Sequence, residues 1–119
     1  METTNAVAAL AALAQETRLA AFRALVEAGP QGLAAGQLSE RLEVAAPTLS
    51  FHLTALSQAG LVTSTRDGRS IIYAADFDAM NALLRFLTEN CCGGDPKRCA
   101  PAGPAPRSRK STSRKGVRP

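Results

Sequence analysis

Apolar residues recur every three or four positions through the first third of the chain, which is the spacing of one face of a helix. The pattern predicts a first helix capped by Asn5 and ending near residue 15, and a second over 17–28 that Gly29-Pro30 ends. A third helix is predicted over 35–42. The apolar faces comprise Val7, Leu10 and Leu13 in the first helix, the inward-pointing Leu19, Phe22, Leu25 and Val26 in the second, and Leu38 and Leu42 in the third.

A fourth helix is predicted after a tight turn at 43–45, with Pro47 in its first turn, where a missing N–H costs nothing, and Gly60 at its end. Leu49, Leu53 and Leu56 form its buried face. Hydroxyl groups and one aromatic ring fall on its other faces, at Thr48, Ser50, Phe51, Thr54 and Ser57. A short helix with this surface near its N-terminus suits the major groove of DNA, so the pattern predicts a helix-turn-helix.

After Gly60 the apolar period changes from 3.6 to 2, which predicts two strands, 61–66 and 69–73. Asp67-Gly68 between them is a strong signal for a two-residue hairpin turn. Arg66 and Arg69 flank this turn and are expected to lie near the DNA backbone, although solvated hairpin charges remain an alternative.

A last helix is predicted from the cap Asp76 to Asn90, with an apolar stripe at Phe77, Met80, Leu83, Leu84 and Leu87. The first and last helices carry more apolar residues than one thin core can use, which predicts a homodimer through them. The fold class is therefore mainly α with a small β-hairpin, a winged helix-turn-helix. We expect a DNA-binding and dimerisation domain at 1–92, a loop at 93–99 and a disordered basic tail at 100–119.

The net charge of +4 is unevenly distributed along the 119 residues. Residues 1–94 carry six arginines against nine acids, whereas residues 95–119 carry eight Lys or Arg against Asp95 alone. The tail is either a solubilising terminus or an arm that binds phosphates without regard to sequence. Without a candidate signal peptide or membrane span, the sequence predicts a cytoplasmic protein with no membrane partner.

Three cysteines, Cys91, Cys92 and Cys99, lie within nine positions. In a cytoplasmic chain such a cluster favours metal binding or redox chemistry over structural disulfides. Three thiolates from one loop suit a soft, three-coordinate ion, and As(III) or Sb(III) fits that description. A structural zinc ion requires a fourth ligand, and none is nearby in the sequence. No organic cofactor is expected.

The chain resembles the ArsR/SmtB family of winged-helix metalloregulators over residues 12–90. The resemblance is carried by four segments, which are Leu13-Ala-Gln-Glu-Thr-Arg-Leu19, Leu49-Ser-Phe-His-Leu53, Ala59-Gly-Leu-Val62, and Asp67-Gly-Arg69 with Tyr73. The third helix lacks the Cys-x-Cys inducer site of many members, and Ala45-Ala46 replaces their Ser-Gln. The single histidine, His52, is expected to orient the fourth helix or touch DNA rather than bind a metal ion.

The resemblance implies an arsenic-responsive repressor that binds double-stranded operator DNA as an apo homodimer. Some such repressors carry a vicinal cysteine pair and a third cysteine after the last helix, which implies that Cys91, Cys92 and Cys99 bind As(III) and release the DNA. There are two alternatives to As(III) binding by these cysteines: they are incidental thiols, or they form a redox switch. Cys92 and Arg98 also match the Cys-x5-Arg spacing of phosphatases and arsenate reductases, but that loop needs a preceding strand and a following helix, so we do not expect an enzyme.

Overall fold

The computed structural model describes residues 1–98, which include a first compact unit, Met1–Leu87, and the beginning of a second that starts at Thr88. The predicted tail at 100–119 and the third thiol, Cys99, lie outside the described residues. None of the helices within residues 1–98 has the length and apolar character needed to cross a membrane.

The first unit contains five α-helices and three short strands, which confirms the mainly α winged helix-turn-helix class. Two 3₁₀ turns follow in the second unit, at Cys91–Gly94 and Pro96–Arg98. The helices and strands, in chain order, are α1 (Thr3–Leu13), α2 (Glu16–Ala28), β1 (Leu33–Ala34), α3 (Ala35–Leu42), α4 (Ala46–Gln58), β2 (Val62–Asp67), β3 (Ser70–Ala75) and α5 (Phe77–Thr88).

The core lies where α2, α3 and α4 meet the base of the sheet. Six large apolar side chains are fully buried there, namely Leu25, Leu38, Leu49, Leu53, Leu56 and Leu61. The inward orientation predicted for Phe22 and Leu25 in α2 is confirmed, whereas Leu19 is exposed and its predicted inward orientation is wrong. Leu19 lies on the same side of the unit as other exposed apolar groups, and it lines a groove of about 460 Å³ with Leu13 and Met80.

Helix α1 packs through alanines and leaves two of its larger apolar side chains, Val7 and Leu10, outside. Ala6, Ala9 and Ala12 are buried, while Val7 is 59% and Leu10 is 43% exposed. Small side chains let the helix backbone lie close to its neighbours, so the longer ones occupy the opposite face. On α5, Leu83 is buried but Leu87 is 55% exposed. The surplus of apolar surface predicted for the first and last helices is therefore present.

The start of α1 and the end of the last helix differ from the prediction. Asn5 lies inside α1, whose N-cap is Glu2 without a side-chain hydrogen bond, so the predicted Asn5 cap is wrong. The predicted cap of the last helix is confirmed, because Asp76 Oδ1 accepts a hydrogen bond from the Ala79 N–H at 3.0 Å. That helix ends at Thr88, and Asn90 has a left-handed backbone with φ of 56°.

The sheet is antiparallel in the order β1-β3-β2, and its two-residue strand β1 was not predicted. Leu33 pairs with Tyr73, which joins the wing to the connection between α2 and α3. The hairpin turn is also displaced by one residue from the prediction. Asp67 pairs with Ser70, so Gly68 and Arg69 form the turn, and the positive φ of Gly68, 64°, at the first turn position is typical of a type II′ turn.

Candidate DNA-binding surface and thiol pair

Helices α3 and α4 form the helix-turn-helix, and a short hydrogen-bonded turn sets the angle between them. Glu43 adopts a left-handed backbone with φ of 58°, and the Val44 N–H donates to the Ser39 carbonyl at 3.1 Å. The Ser39 hydroxyl in turn donates to the Val44 carbonyl at 2.5 Å. These two bonds tie the end of α3 to the start of α4, and the predicted turn at 43–45 is confirmed.

Helix α4 divides into a buried face and an exposed face as the spacing predicted. Leu49, Leu53 and Leu56 are buried in the core. The exposed face carries Thr48, Ser50, Phe51 and Thr54, all of which were predicted to point away from the core. The Thr54 hydroxyl donates to the Ser50 carbonyl at 2.9 Å, so its proton is already used in a hydrogen bond to the helix backbone.

Residues 46–58 contain no Lys, Arg, Asp or Glu. A helix without formal charge attracts phosphates weakly, since phosphate contacts are made mainly by cationic side chains. Hydroxyl groups and apolar surface are suited instead to the edges of bases. The composition of the exposed face therefore fits base contacts better than backbone contacts.

His52 lies on the inner side of α4 and is only 9% exposed. Its Nδ1 accepts a hydrogen bond from Arg18 Nε, in α2, at 3.1 Å. The bond joins α2 to α4 and fixes the plane of the imidazole ring, because Nδ1 must point at the Arg18 donor. Of the two roles predicted for His52, this placement favours orienting the helix over touching DNA.

Arg18 is a site residue that the sequence reasoning missed. Its guanidinium carbon lies 5.8 Å from the centroid of the Phe51 ring, within the range of a cation–π contact. The Phe51 and His52 rings meet edge to face, with centroids 5.5 Å apart and an interplanar angle of 67°. Arg18 belongs to a segment that carried the family resemblance, but nothing in the local sequence pairs it with Phe51 and His52, which lie more than thirty positions away.

The wing places its two arginines at different positions. Arg66 is in β2 opposite Ile71, whereas Arg69 is in the turn at the tip, and both are exposed. Asp67 lies between them in sequence and is also exposed, so it reduces the local positive charge. Because Arg69 lies at the tip, we expect it, rather than Arg66, to be the arginine that reaches a phosphate.

The vicinal cysteines lie in the second unit, in the 3₁₀ turn that begins at Cys91. Cys92 has a left-handed backbone with φ of 55°, and the two Sγ atoms are 3.5 Å apart, longer than a disulfide bond. Cys92 Sγ also lies 3.3 Å from the Arg98 carbonyl oxygen, to which it donates. Within residues 1–98, no group of three or more His, Cys, Asp or Glu side chains is placed to hold a metal ion.

Known proteins share this architecture. A family model described as a helix-turn-helix domain matches residues 13–65. The transcriptional activator HlyU of Vibrio cholerae is 32% identical over 88 residues, which are 74% of this chain and 79% of HlyU. An ArsR-like transcriptional regulator from a Rhodococcus species, with a solved structure, is 32% identical with a TM-score of 0.66, over 79% of this chain and 86% of that one.

The chain belongs to the ArsR family of transcriptional regulators. These relatives are transcriptional regulators and the matched family model is a helix-turn-helix domain, which confirms that this ArsR-family chain is a regulator and not an enzyme. A homodimeric winged helix-turn-helix domain from Mycobacterium bovis shares the fold at 22% identity and a TM-score of 0.59, over 78% of this chain and 86% of that one. The domain match ends at residue 65, so it does not reach the cysteines of this family member.

Proposed function

We propose that the protein is a homodimeric repressor that binds operator DNA in the absence of As(III) and is released when As(III) binds the thiolates of Cys91, Cys92 and Cys99. The observation that carries this proposal is the pair of Sγ atoms 3.5 Å apart in the turn after α5. Soft thiolate ligands select soft, thiophilic ions. Sb(III) shares this chemistry and is the second candidate inducer.

The donor set fits a three-coordinate ion better than zinc. The chain contains three cysteines and a single histidine, and that histidine is buried and bonded to Arg18. A closed tetrahedral zinc site requires four ligands of this kind. The short distance between the two neighbouring sulfurs, 3.5 Å, supports chelation of one ion by both.

The homodimer is supported by exposed apolar groups on α1 and α5. Val7, Leu10 and Leu87 are each exposed by 43% or more, and the related domain from Mycobacterium bovis is homodimeric. A pair of helices α4 in a symmetric dimer would meet successive half-sites about 34 Å apart. Small changes in their separation are then sufficient to weaken binding.

The position of the cysteines in the chain supplies the link between the two activities. Only Glu89 and Asn90 separate Thr88, the last residue of α5, from Cys91. Drawing three sulfurs onto one ion would restrain the chain directly joined to the helix that we assign to the dimer. A coupling free energy of about 1–3 kcal/mol corresponds to a 5- to 150-fold loss of DNA affinity.

The test is a titration of As(III) into the full-length protein bound to labelled promoter DNA. Replacing Cys91, Cys92 or Cys99 singly by Ser should weaken the As(III)-driven release while leaving DNA binding by the apo protein nearly unchanged. Glu89→Ser is the matched control, since it alters the same segment without removing a thiol. A triple Ser variant that still leaves the DNA at the same As(III) concentration would refute the proposal.

A thiol redox switch is the second candidate, favoured by the same short distance between Cys91 and Cys92. The two candidates separate in excess non-thiol reductant, because arsenite binds thiolates without oxidising them. Release by As(III) under that condition supports metalloid sensing. Release only by peroxide or diamide, with As(III) inert, supports the redox switch.

A further inference from the structure

Phe51 departs from the pattern of the large apolar residues in α4. The three leucines of the helix are buried, whereas the Phe51 side chain is 66% exposed on the face that carries Thr48 and Ser50. Two groups hold its ring: the edge-to-face contact with His52 and the guanidinium of Arg18. Arg18 is itself held by its hydrogen bond to His52. The exposed ring is therefore restrained by two side chains that also contact each other.

We propose that Phe51 reads the C5-methyl groups of thymines in the operator, and that Arg18 is the positioning residue that orients the Phe51 ring, both by its own contact with the ring and by its bond to His52. This rests on α4 being the helix that enters the major groove. The thymine methyl is the one apolar group that a base pair presents in that groove, and Phe is among the side chains that contact it. The guanidinium beside the ring restricts its rotation, so less freedom is lost when the ring meets a base.

Arg18 acts as a positioning residue because its Nε is already committed to His52. The bond requires an acceptor at the Nδ1 position and a planar donor at Nε. Lysine at position 18 preserves the charge but has neither the planar fork nor the same reach. Asn at position 52 offers an amide oxygen as acceptor, close to where the imidazole presents Nδ1. These two substitutions separate the geometry of the cluster from its charge.

The first experiment measures methyl recognition directly. DNA sites are selected from a random library with the full-length protein, and each thymine of the selected site is replaced in turn by deoxyuridine, which lacks only the methyl group. We expect a loss of affinity of about 3- to 5-fold at one or two positions per half-site, the value of one buried methyl group. We call this loss of affinity the uracil effect. Phe51→Ala should weaken binding to the unmodified site and abolish the uracil effect at those positions. Gln58→Ala, at the other end of α4, is the matched control and should retain it.

The second experiment tests the positioning role. Arg18→Lys and His52→Leu should each reduce the uracil effect, and His52→Asn should restore more of it than His52→Leu. Thermal unfolding of each variant identifies any general loss of structure, which would not select for thymine positions. An unchanged uracil effect in Phe51→Ala overturns methyl reading, and an unchanged effect in Arg18→Lys overturns the role of Arg18. If neither Phe51→Ala nor Ser50→Ala alters base preference, then α4 is not the helix that enters the major groove.

Discussion

Gly32, in the connection between α2 and β1, lies directly against the backbone of β3. Its φ is 72°, and a Cβ atom built on it would lie 2.1 Å from the carbonyl oxygen of Tyr73 in β3. No real side chain tolerates such a distance to a backbone atom. The absence of a side chain here is what allows β1 to pair with β3 at Leu33 and Tyr73.

Gly32→Ala should lower the free energy of unfolding by roughly 2–4 kcal/mol, because it adds both a disfavoured positive φ and a backbone clash. Gly36→Ala is the matched control, since a Cβ there meets no atom within 4 Å and its position is helical. Alanine at position 36 should be neutral or stabilise the protein by up to about 1 kcal/mol. Urea denaturation measures both, and equal effects of the two substitutions would contradict the role given to Gly32.

At the residue scale, the sequence predicted the exposed polar face of α4 but not the side chains behind it. Thr48, Ser50 and Phe51 follow from helical period alone. The bond between Arg18 and His52 does not, because it depends on how α2 crosses α4. Periodicity reports which face of one helix is apolar and carries no information about which residues of two helices meet.

At the scale of elements, all five helices and both wing strands were predicted from apolar period, and the misses have local causes. Strand β1 contains two residues, too few for any period to be visible. The hairpin turn is at Gly68-Arg69 instead of the predicted Asp67-Gly68. Both placements fit the same sequence signal, and only the register of strand pairing decides between them. The shift places Arg69 at the tip of the wing.

The position of Arg69 predicts a phosphate contact that does not depend on sequence. Arg69→Ala should weaken binding to every DNA sequence and reduce the slope of log affinity against log salt by about one unit. Arg41→Ala is the control, because its guanidinium is exposed but already paired with Glu27 at 2.7 Å. Fluorescence anisotropy over a range of salt concentrations measures the slopes. Equal slopes for the wild type and Arg69→Ala would place the wing away from the DNA.

At the scale of the whole molecule, the exposed apolar groups of α1 and α5 are predicted to be covered by a second copy. Leu10→Glu with Leu87→Glu should shift the protein to monomers, raising the dimer Kd by about 10- to 100-fold for each leucine, given roughly 1.5–3 kcal/mol per buried leucine. Gln58→Glu adds the same charge at an exposed polar site and should leave the dimer intact. Sedimentation velocity distinguishes these outcomes, and a dimeric double variant would exclude this face as the interface.

The uncharged exposed face of α4 has a consequence for how such regulators diverge. In the proposed mode of binding, attraction to the phosphates and choice of sequence reside in different elements, since cations are absent from α4 and present on the wing. Substitutions on α4 can therefore change which promoter is recognised while leaving the general attraction to DNA intact. A duplicated copy of this gene could acquire a new set of target promoters by a few changes at Thr48, Ser50 and Phe51, with no compensating change in charge elsewhere.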